Sequence, residues 1–299
     1  ARQQVGQLQG ALDGEARRSD AIIVSGHNVT IANVEVRRYV GNGIVAQETT
    51  NFTLKDSKLD DTGLYGVYPV RSAFVRIQGV EVTGARDAGI YVGQSKGIVV
   101  ENCVAHGNVT GIEIENSVDA VVEKNHVYDN AGGILVFALP GNPSKLAQRT
   151  KVAKNRVLGN NHVNFADPSA IVAKVPSGGG VFILAADDTE VTDNDIRDNN
   201  SFGVAVLGLE SLFPGAGPFD VGGFSDRTRI HANRYAGNGG KPDRAVTEAG
   251  LRGADLLWDL SGATNTWDEP GATRAVPLLD ASWPAVARRA KFQIITRLK

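Results

Sequence analysis

Glycine followed by an aliphatic residue returns along this chain at nearly fixed intervals. Gly43-Ile44, Gly66-Val67, Gly89-Ile90, Gly111-Ile112 and Gly133-Ile134 are spaced 23, 23, 22 and 22 residues apart. A gap of 47 leads to Gly180-Val181, and 23 more residues lead to Gly203-Val204. A second series lies between these glycines. Asn33, Asp56, Gly79, Asn102 and Asn125 are each 23 apart, and Asn155, Asn194 and Asn233 continue the series with longer gaps. The later copies share the motif Asn-x-apolar-x-x-Asn: Asn125 to Asn130, Asn155 to Asn160, Asn194 to Asn199 and Asn233 to Asn238. The early and late copies can be aligned with a slip of one residue.

A period in the twenties admits few architectures. The Leu-x-x-Leu-x-Leu frame of a leucine-rich repeat is absent, and helical repeats are longer with 3.6-residue periodicity. Here the alternation has period two, as in Val29-Thr30-Ile31 and Ile112-Glu113-Ile114-Glu115, which reads as strand. About 23 residues at ~3.3 Å each make a coil of roughly 75 Å, enough for three short strands joined by turns. Coils stacked ~4.8 Å apart pair every strand with its copies above and below. The expected fold is all-β, a right-handed single-stranded parallel β-helix of about eight coils with capped ends. Asparagine suits its turns, because it tolerates left-handed backbone angles and its side-chain amides can hydrogen-bond along the axis.

The sequence resembles the right-handed parallel β-helix proteins of the pectate-lyase-like superfamily, and within it a group of exported bacterial parallel β-helix repeat proteins. Four segments carry the likeness: Tyr65-Gly66-Val67-Tyr68-Pro69-Val70, Asp87 to Ser95, Gly111 to Ser117, and Gly132 to Phe137. It covers roughly residues 20 to 240. The superfamily includes lyases, epimerases, hydrolases, phage tailspikes and non-catalytic surface proteins, so the resemblance implies the fold more firmly than any activity.

Residues 1–20 are polar and mixed and read as an N-terminal cap; the repeats occupy 21–244. Pro- and Gly-containing insertions fall near 138–149, 160–179 and 211–225, as surface loops beside a binding face. From residue 245 to 299 the period is lost. Trp258, Trp267 and Trp283 all fall there, and the segment reads as a second cap.

The charge balance excludes two classes of partner. Thirty-one Lys and Arg against 33 Asp and Glu give a formal charge of -2, without the basic footprint of a nucleic-acid binder or a polybasic membrane patch. No apolar run is long enough to span a bilayer. The single cysteine, Cys103, permits neither an internal disulfide framework nor a CxxC site, and reads as a small buried apolar group. The chain begins at Ala1 and contains no Met, with no visible signal peptide. That form fits a processed exported protein, so a periplasmic, cell-surface or extracellular location is expected.

Counting from each repeat glycine locates an outward face. Position +1 is aliphatic and points inward, so +2 and +4 point outward. The +2 column reads Val45, Tyr68, Tyr91, Glu113, Leu135, Phe182, Ala205, and the +4 column reads Gln47, Val70, Gly93, Glu115, Phe137, Leu184, Leu207. Glu48, Arg71, Gln94 and Asn116 sit at the strand ends. Stacked tyrosines with planar polar groups suit sugars, because aromatic faces pack on pyranose rings and charged groups bind hydroxyls and carboxylates. Further along, the columns turn apolar, and the loops after Ala138 and Asn160 should cover that strip and bring His162, Asn164, Asp167 and Lys174 beside it.

These residues suggest a protein that binds, and as a lyase or epimerase modifies, an acidic polysaccharide. Such chemistry needs a cation on the uronate carboxylate, a base for the α proton and a proton donor. Arg71 is the expected carboxylate partner and His162 the expected base, with Glu113 and Glu115 as further catalytic candidates. Tyr68, Tyr91, Gln94, Asn116 and Asp167 are the expected substrate contacts. The epimerase-type Asp-Pro-His-Asp motif is absent, since Asp167-Pro168 continues as Ser169-Ala170. A hydrolase needs two carboxylates facing each other across the bond, whereas Glu113 and Glu115 lie side by side on one strand. The acidic run from Asp187 to Asp195 is compatible with Ca²⁺, but lacks the glycine and spacing of an EF-hand loop and reads first as a solvated turn. No other metal or cofactor is indicated. The competing expectation is a non-catalytic surface or scaffold protein whose face binds glycan, a protein partner or another copy of itself.

Overall fold

The computed structural model describes residues 11–276 and a few positions between 284 and 294. Half of the expected N-terminal cap, and Trp283 of the expected C-terminal one, lie outside the described residues. Among the described residues, twenty-seven strands, β1 to β27 in chain order, form three parallel sheets of nine. Sheet A begins with β1 (Ala11–Asp13), sheet B with β2 (Ile22–Val24) and sheet C with β3 (Val29–Ala32), and each later coil repeats the order A, B, C. The solenoid therefore has nine coils, one more than the glycine spacing suggests. The first strand lies in the polar N-terminal segment and the last, β27 (Thr266–Asp268), lies beyond the periodic region.

The repeat glycines have a steric reason. On Gly43 a Cβ would stand 2.5 Å from the carbonyl oxygen of Gly66; on Gly111 it would stand 2.8 Å from that of Gly133. Both distances are below van der Waals contact, so adjacent coils approach too closely here for any side chain. The residue after each glycine fills the core: Ile44, Val67, Ile90, Ile112, Ile134, Val181 and Val204 are all fully buried. Sheet register places them above one another, for example Ile90 beside Ile112 and Ile112 beside Ile134. Such a column removes apolar surface from water continuously along the axis.

The asparagine series combines two different turn positions. Asn33, Asp56, Gly79 and Asn102 all have φ between 48° and 62°, the left-handed region that Asn, Asp and Gly tolerate best. Asn102 is exposed, not buried in a stack as expected. One residue later the chain points inward, and from the fifth coil to the eighth that inward position is asparagine. Asn125 Nδ2 donates to Asn155 Oδ1 at 3.0 Å, Asn155 to Asn194 at 3.0 Å and Asn194 to Asn233 at 2.9 Å. A parallel column between sheets A and B runs Asn108, Asn130, Asn160, Asn199 and Asn238, with amide contacts of 2.9–3.1 Å. The first column ends on Glu269 Oε1 at 2.7 Å and the second on Asp255 Oδ1 at 2.9 Å. These amides satisfy backbone groups that the sharp turns would otherwise bury unpaired.

Cys103 occupies the same inward turn position one coil before Asn125, whose Oδ1 accepts from its backbone N–H at 2.9 Å. Burial pushes its thiol pKa up to about 12, which leaves it inert as a nucleophile.

Candidate active site

The outward face of sheet B is formed in part by β8 (Val67–Val70), β11 (Ala88–Gly93), β14 (Thr110–Glu115), β17 (Gly132–Phe137), β20 (Gly179–Leu184) and β23 (Phe202–Leu207). Strand register puts Tyr91 beside Glu113, Glu113 beside Leu135 and Leu135 beside Phe182, so the +2 column is a continuous row. Gly93, Glu115, Phe137 and Leu184 form the +4 row in the same way. Loops then fold over this face. A 3-10 turn at Ile171–Lys174 and the segment around Ser211 and Leu212 stand above it, leaving a cleft of about 300 Å³.

One end of the cleft is acidic. Asp87, Glu113 and Glu115 all line it, together with Tyr65. Asp87 comes from the turn before β11, and the two glutamates come from β14. Glu113 and Glu115 are 3% and 8% exposed. Each carboxyl has identified partners. The Tyr65 hydroxyl donates to Asp87 Oδ2 at 3.0 Å, and Thr110 Oγ1 donates to Glu113 Oε1 at 2.7 Å. Glu115 accepts from Asn142 Nδ2 at 2.7 Å and from the Tyr91 hydroxyl.

Burial and mutual repulsion set the protonation of this cluster. Loss of hydration, with the Glu115 charge nearby, raises the Asp87 pKa to about 6 despite the opposing bond from Tyr65. Glu113, fully enclosed and facing both Asp87 and Glu115, is pushed well above the carboxylate range by burial and then by those charges. Glu115 is also raised by burial, but its bonds from Tyr91 and Asn142 pull the other way. Burial thus biases Glu113 most strongly towards its neutral form, while Glu115 beside it is braced by two donors that favour its ionised form.

Tyr65, Tyr68 and Tyr91 form an aromatic stack with centroids 4.6–4.9 Å apart. Tyr91 is buried and serves Glu115, while Tyr68 is half-buried on the flank. The sequence columns thus bring Glu113, Glu115, Tyr68 and Tyr91 together. They miss Tyr65 and Asp87, which lie in the turn before the strand, and Asn142, which comes from the loop after Ala138.

The other expected site residues lie elsewhere. Arg71 is paired with Glu48, with Nη2 2.9 Å from Oε1, on an exposed turn outside the cleft lining. His162 packs edge-on against Phe165, with Nδ1 2.9 Å from the Val163 carbonyl oxygen, also outside the lining. Asp167 accepts from Ser169 and borders a second cleft of about 540 Å³, which shares Asp87 with the first. Asn116 fixes the loop after Ala138: it donates to the carbonyls of Leu139 and Ser144 and accepts from the Leu139 N–H. Gln94 Nε2 lies 3.4 Å from Asn142 Oδ1. Gln94 and Asn116 thus brace the loop that presents Asn142. Of the loop residues expected beside the apolar strip, Lys174 does line the cleft, while Asn164 ties its own loop by bonds to the Val172 and Val175 carbonyls.

In the acidic run, Asp187 and Asp188 share the single cation Arg227, and Asp195 pairs with Arg197. Among the described residues no group of three or more His, Cys, Asp or Glu side chains is arranged to hold a metal ion. No helix among them is long and apolar enough to cross a membrane.

Comparison with known proteins agrees with this architecture. The family model described as a right-handed β-helix region matches residues 20–165. The chain is a right-handed parallel β-helix protein. No curated protein sequence matches it. Among solved structures, the mannuronan C-5 epimerase AlgE4 A-module of Azotobacter vinelandii is similar over 85% of this chain and 63% of that one, with TM-score 0.58 and 21% identity. A double mutant of the periplasmic alginate epimerase AlgG is similar over 83% of this chain and 50% of that one, with TM-score 0.56 and 17% identity. The DFA-IIIase of Arthrobacter chlorophenolicus A6 in complex with GF2 is similar over 87% of this chain and 60% of that one, with TM-score 0.51 and 11% identity. This β-helix protein therefore spans between half and two thirds of the length of these neighbours, and at such identities the likeness is one of fold.

Proposed function

We propose that this β-helix protein is a carbohydrate-active enzyme that uses carboxyl acid–base chemistry in the sheet B cleft. The observation that carries the reading is the cluster Asp87, Glu113 and Glu115 beside stacked tyrosines, with one carboxyl biased towards its neutral form by burial and another braced by two donors. Carboxyl groups held in unlike environments are what acid–base catalysis requires. Glu113 and Glu115 lie side by side on one strand face rather than across a bond, so in this reading they serve one face of a bound sugar, Glu113 as the proton donor and Glu115, held by Tyr91 and Asn142, as the base. Asp87 tunes the Glu113 proton through its charge.

The charge of the cleft bears on the substrate. Three carboxyl groups face a single cation, Lys174, among the described lining residues, and Arg71 is paired elsewhere. A uronate carboxylate would meet repulsion at the reacting end, so an uncharged sugar is favoured over the acidic polysaccharide expected from sequence. Export belongs to the same proposal, supported by the fold likeness to a periplasmic epimerase.

The test is a panel of neutral and uronate-containing glycans incubated with wild type, Glu113→Gln and Glu115→Gln. New reducing ends report hydrolysis, and ultraviolet absorbance of an unsaturated uronate reports elimination. Turnover of a neutral glycan lost by about 10²-fold or more in either variant supports the assignment. Turnover unaffected by both changes refutes it.

A further inference from the structure

The same cleft changes character halfway along. Beyond the carboxyl cluster its floor is Leu135, Phe137, Phe182 and Leu184, and its walls include Val172 and Leu212. These floor residues point outward from the solenoid, where an alternating strand ordinarily presents polar groups. Each is nonetheless only 5–9% exposed, because the loops roof the strip while leaving the cleft between.

This half has almost nothing to offer a hydroxyl. Its polar side chains among the described lining residues are Ser211 and Lys174. The Ser211 hydroxyl uses its one donor on Asp259 Oδ2 at 2.7 Å, which leaves the exposed Lys174 ammonium as the side-chain donor of this half. A sugar ring carries hydroxyls around its edge, and each one buried without a partner would weaken binding roughly tenfold or more. An apolar group, by contrast, gains from leaving water here without leaving a polar atom unpaired.

We infer that the substrate is amphipathic: a sugar at Asp87, Glu113 and Glu115 joined to an apolar alkyl or aryl group that occupies the Leu135–Leu184 half of the cleft. The inference rests on the proposed carbohydrate reading for the sugar end only. The two halves form one cavity, so a single ligand spans them, with its polar-to-apolar junction near the step from Glu113 to Leu135 in the +2 row.

The test uses n-alkyl β-D-glucosides from hexyl to nonyl, below their micelle concentrations, and 1-octanol as a probe without sugar. Binding is measured calorimetrically on the full chain carrying Glu113→Gln, so that no ligand is turned over. Affinity should rise about threefold per added methylene until the cavity is filled, and 1-octanol should compete with the longer glucosides. Ile171→Asn changes an exposed wall residue and Leu212→Asn a partly buried one in a short helix; both should flatten the chain-length series, Ile171→Asn at an unchanged Tm. A series with no dependence on chain length, or one the two loop variants leave intact, overturns the inference. Loss of all glycan turnover with a preserved chain-length series would instead count against the carbohydrate reading alone.

Discussion

The Tyr91 hydroxyl reaches from one coil to the next to donate a hydrogen bond to Glu115. Its path lies over Gly93, where a Cβ would collide with the tyrosine hydroxyl. The bond stabilises the ionised form of Glu115 against the burial that opposes it. Tyr91→Phe should therefore keep the aromatic stack and raise the Glu115 pKa. The acidic limb of the pH dependence of kcat/KM should move to higher pH, while activity at its new optimum falls by less than in Glu115→Gln.

The Asp87 carboxyl gives a pH-dependent stability of definite sign. Its pKa is about 6 in the folded protein against the ordinary value of 3.8. Between these values the folded state holds a proton that the unfolded chain releases, so this contribution is full below about pH 4 and is lost as pH rises through about 6. Asp87→Asn keeps an acceptor for Tyr65 and removes the buried charge. It should stabilise the protein by about 2–3 kcal/mol at pH 8 and by little at pH 4, as read from chemical denaturation at the two pH values.

The two kinds of turn asparagine should respond oppositely to substitution. Asn125→Leu removes the acceptor of the Cys103 N–H and the donor to Asn155, and should cost about 1–3 kcal/mol for each buried group left unpaired. Asn102 is exposed with φ of 53°, so Asn102→Gly should change stability by less than about 0.5 kcal/mol. Equal losses in the two variants, measured by thermal unfolding, would contradict the assignment.

Arg71 and His162 provide a control on the location of chemistry. Arg71 is committed to Glu48 and His162 to its own loop, and neither lines the cleft. Arg71→Ala and His162→Ala should leave KM and kcat within about twofold of wild type on any glycan that the protein turns over. A tenfold rise in KM in Arg71→Ala would restore a uronate-binding role.

What could be read from the sequence follows from where its periodicity is strict. The glycine series locates sheet B because close approach of the coils excludes a side chain, and alternation from each glycine then points Tyr68, Tyr91, Glu113 and Glu115 outward. Period-two counting stops at the strand ends. Asp87 and Tyr65 sit in the turn that enters the strand, where direction is set by local φ and ψ rather than by alternation. Asn142 reaches Glu115 from an insertion with no repeat to place it. The asparagine register was ambiguous for a related reason: the left-handed turn residue and the inward residue beside it both accept asparagine, for different purposes. The first and last coils lack the glycine–aliphatic pair that marks the seven between them.

The two asparagine columns have a direction. In each, an amide N–H donates a hydrogen bond to the oxygen of the next asparagine, and the final acceptor is a carboxylate, Glu269 or Asp255. A carboxylate has no N–H to donate onward, so the chain of hydrogen bonds ends there. Duplication of an asparagine-bearing coil would insert a unit that both accepts and donates, and the molecule could lengthen from within. Growth past the last coil would meet two acceptors facing each other. Glu269→Gln with Asp255→Asn would give both columns a terminal N–H donor where each now ends on an acceptor.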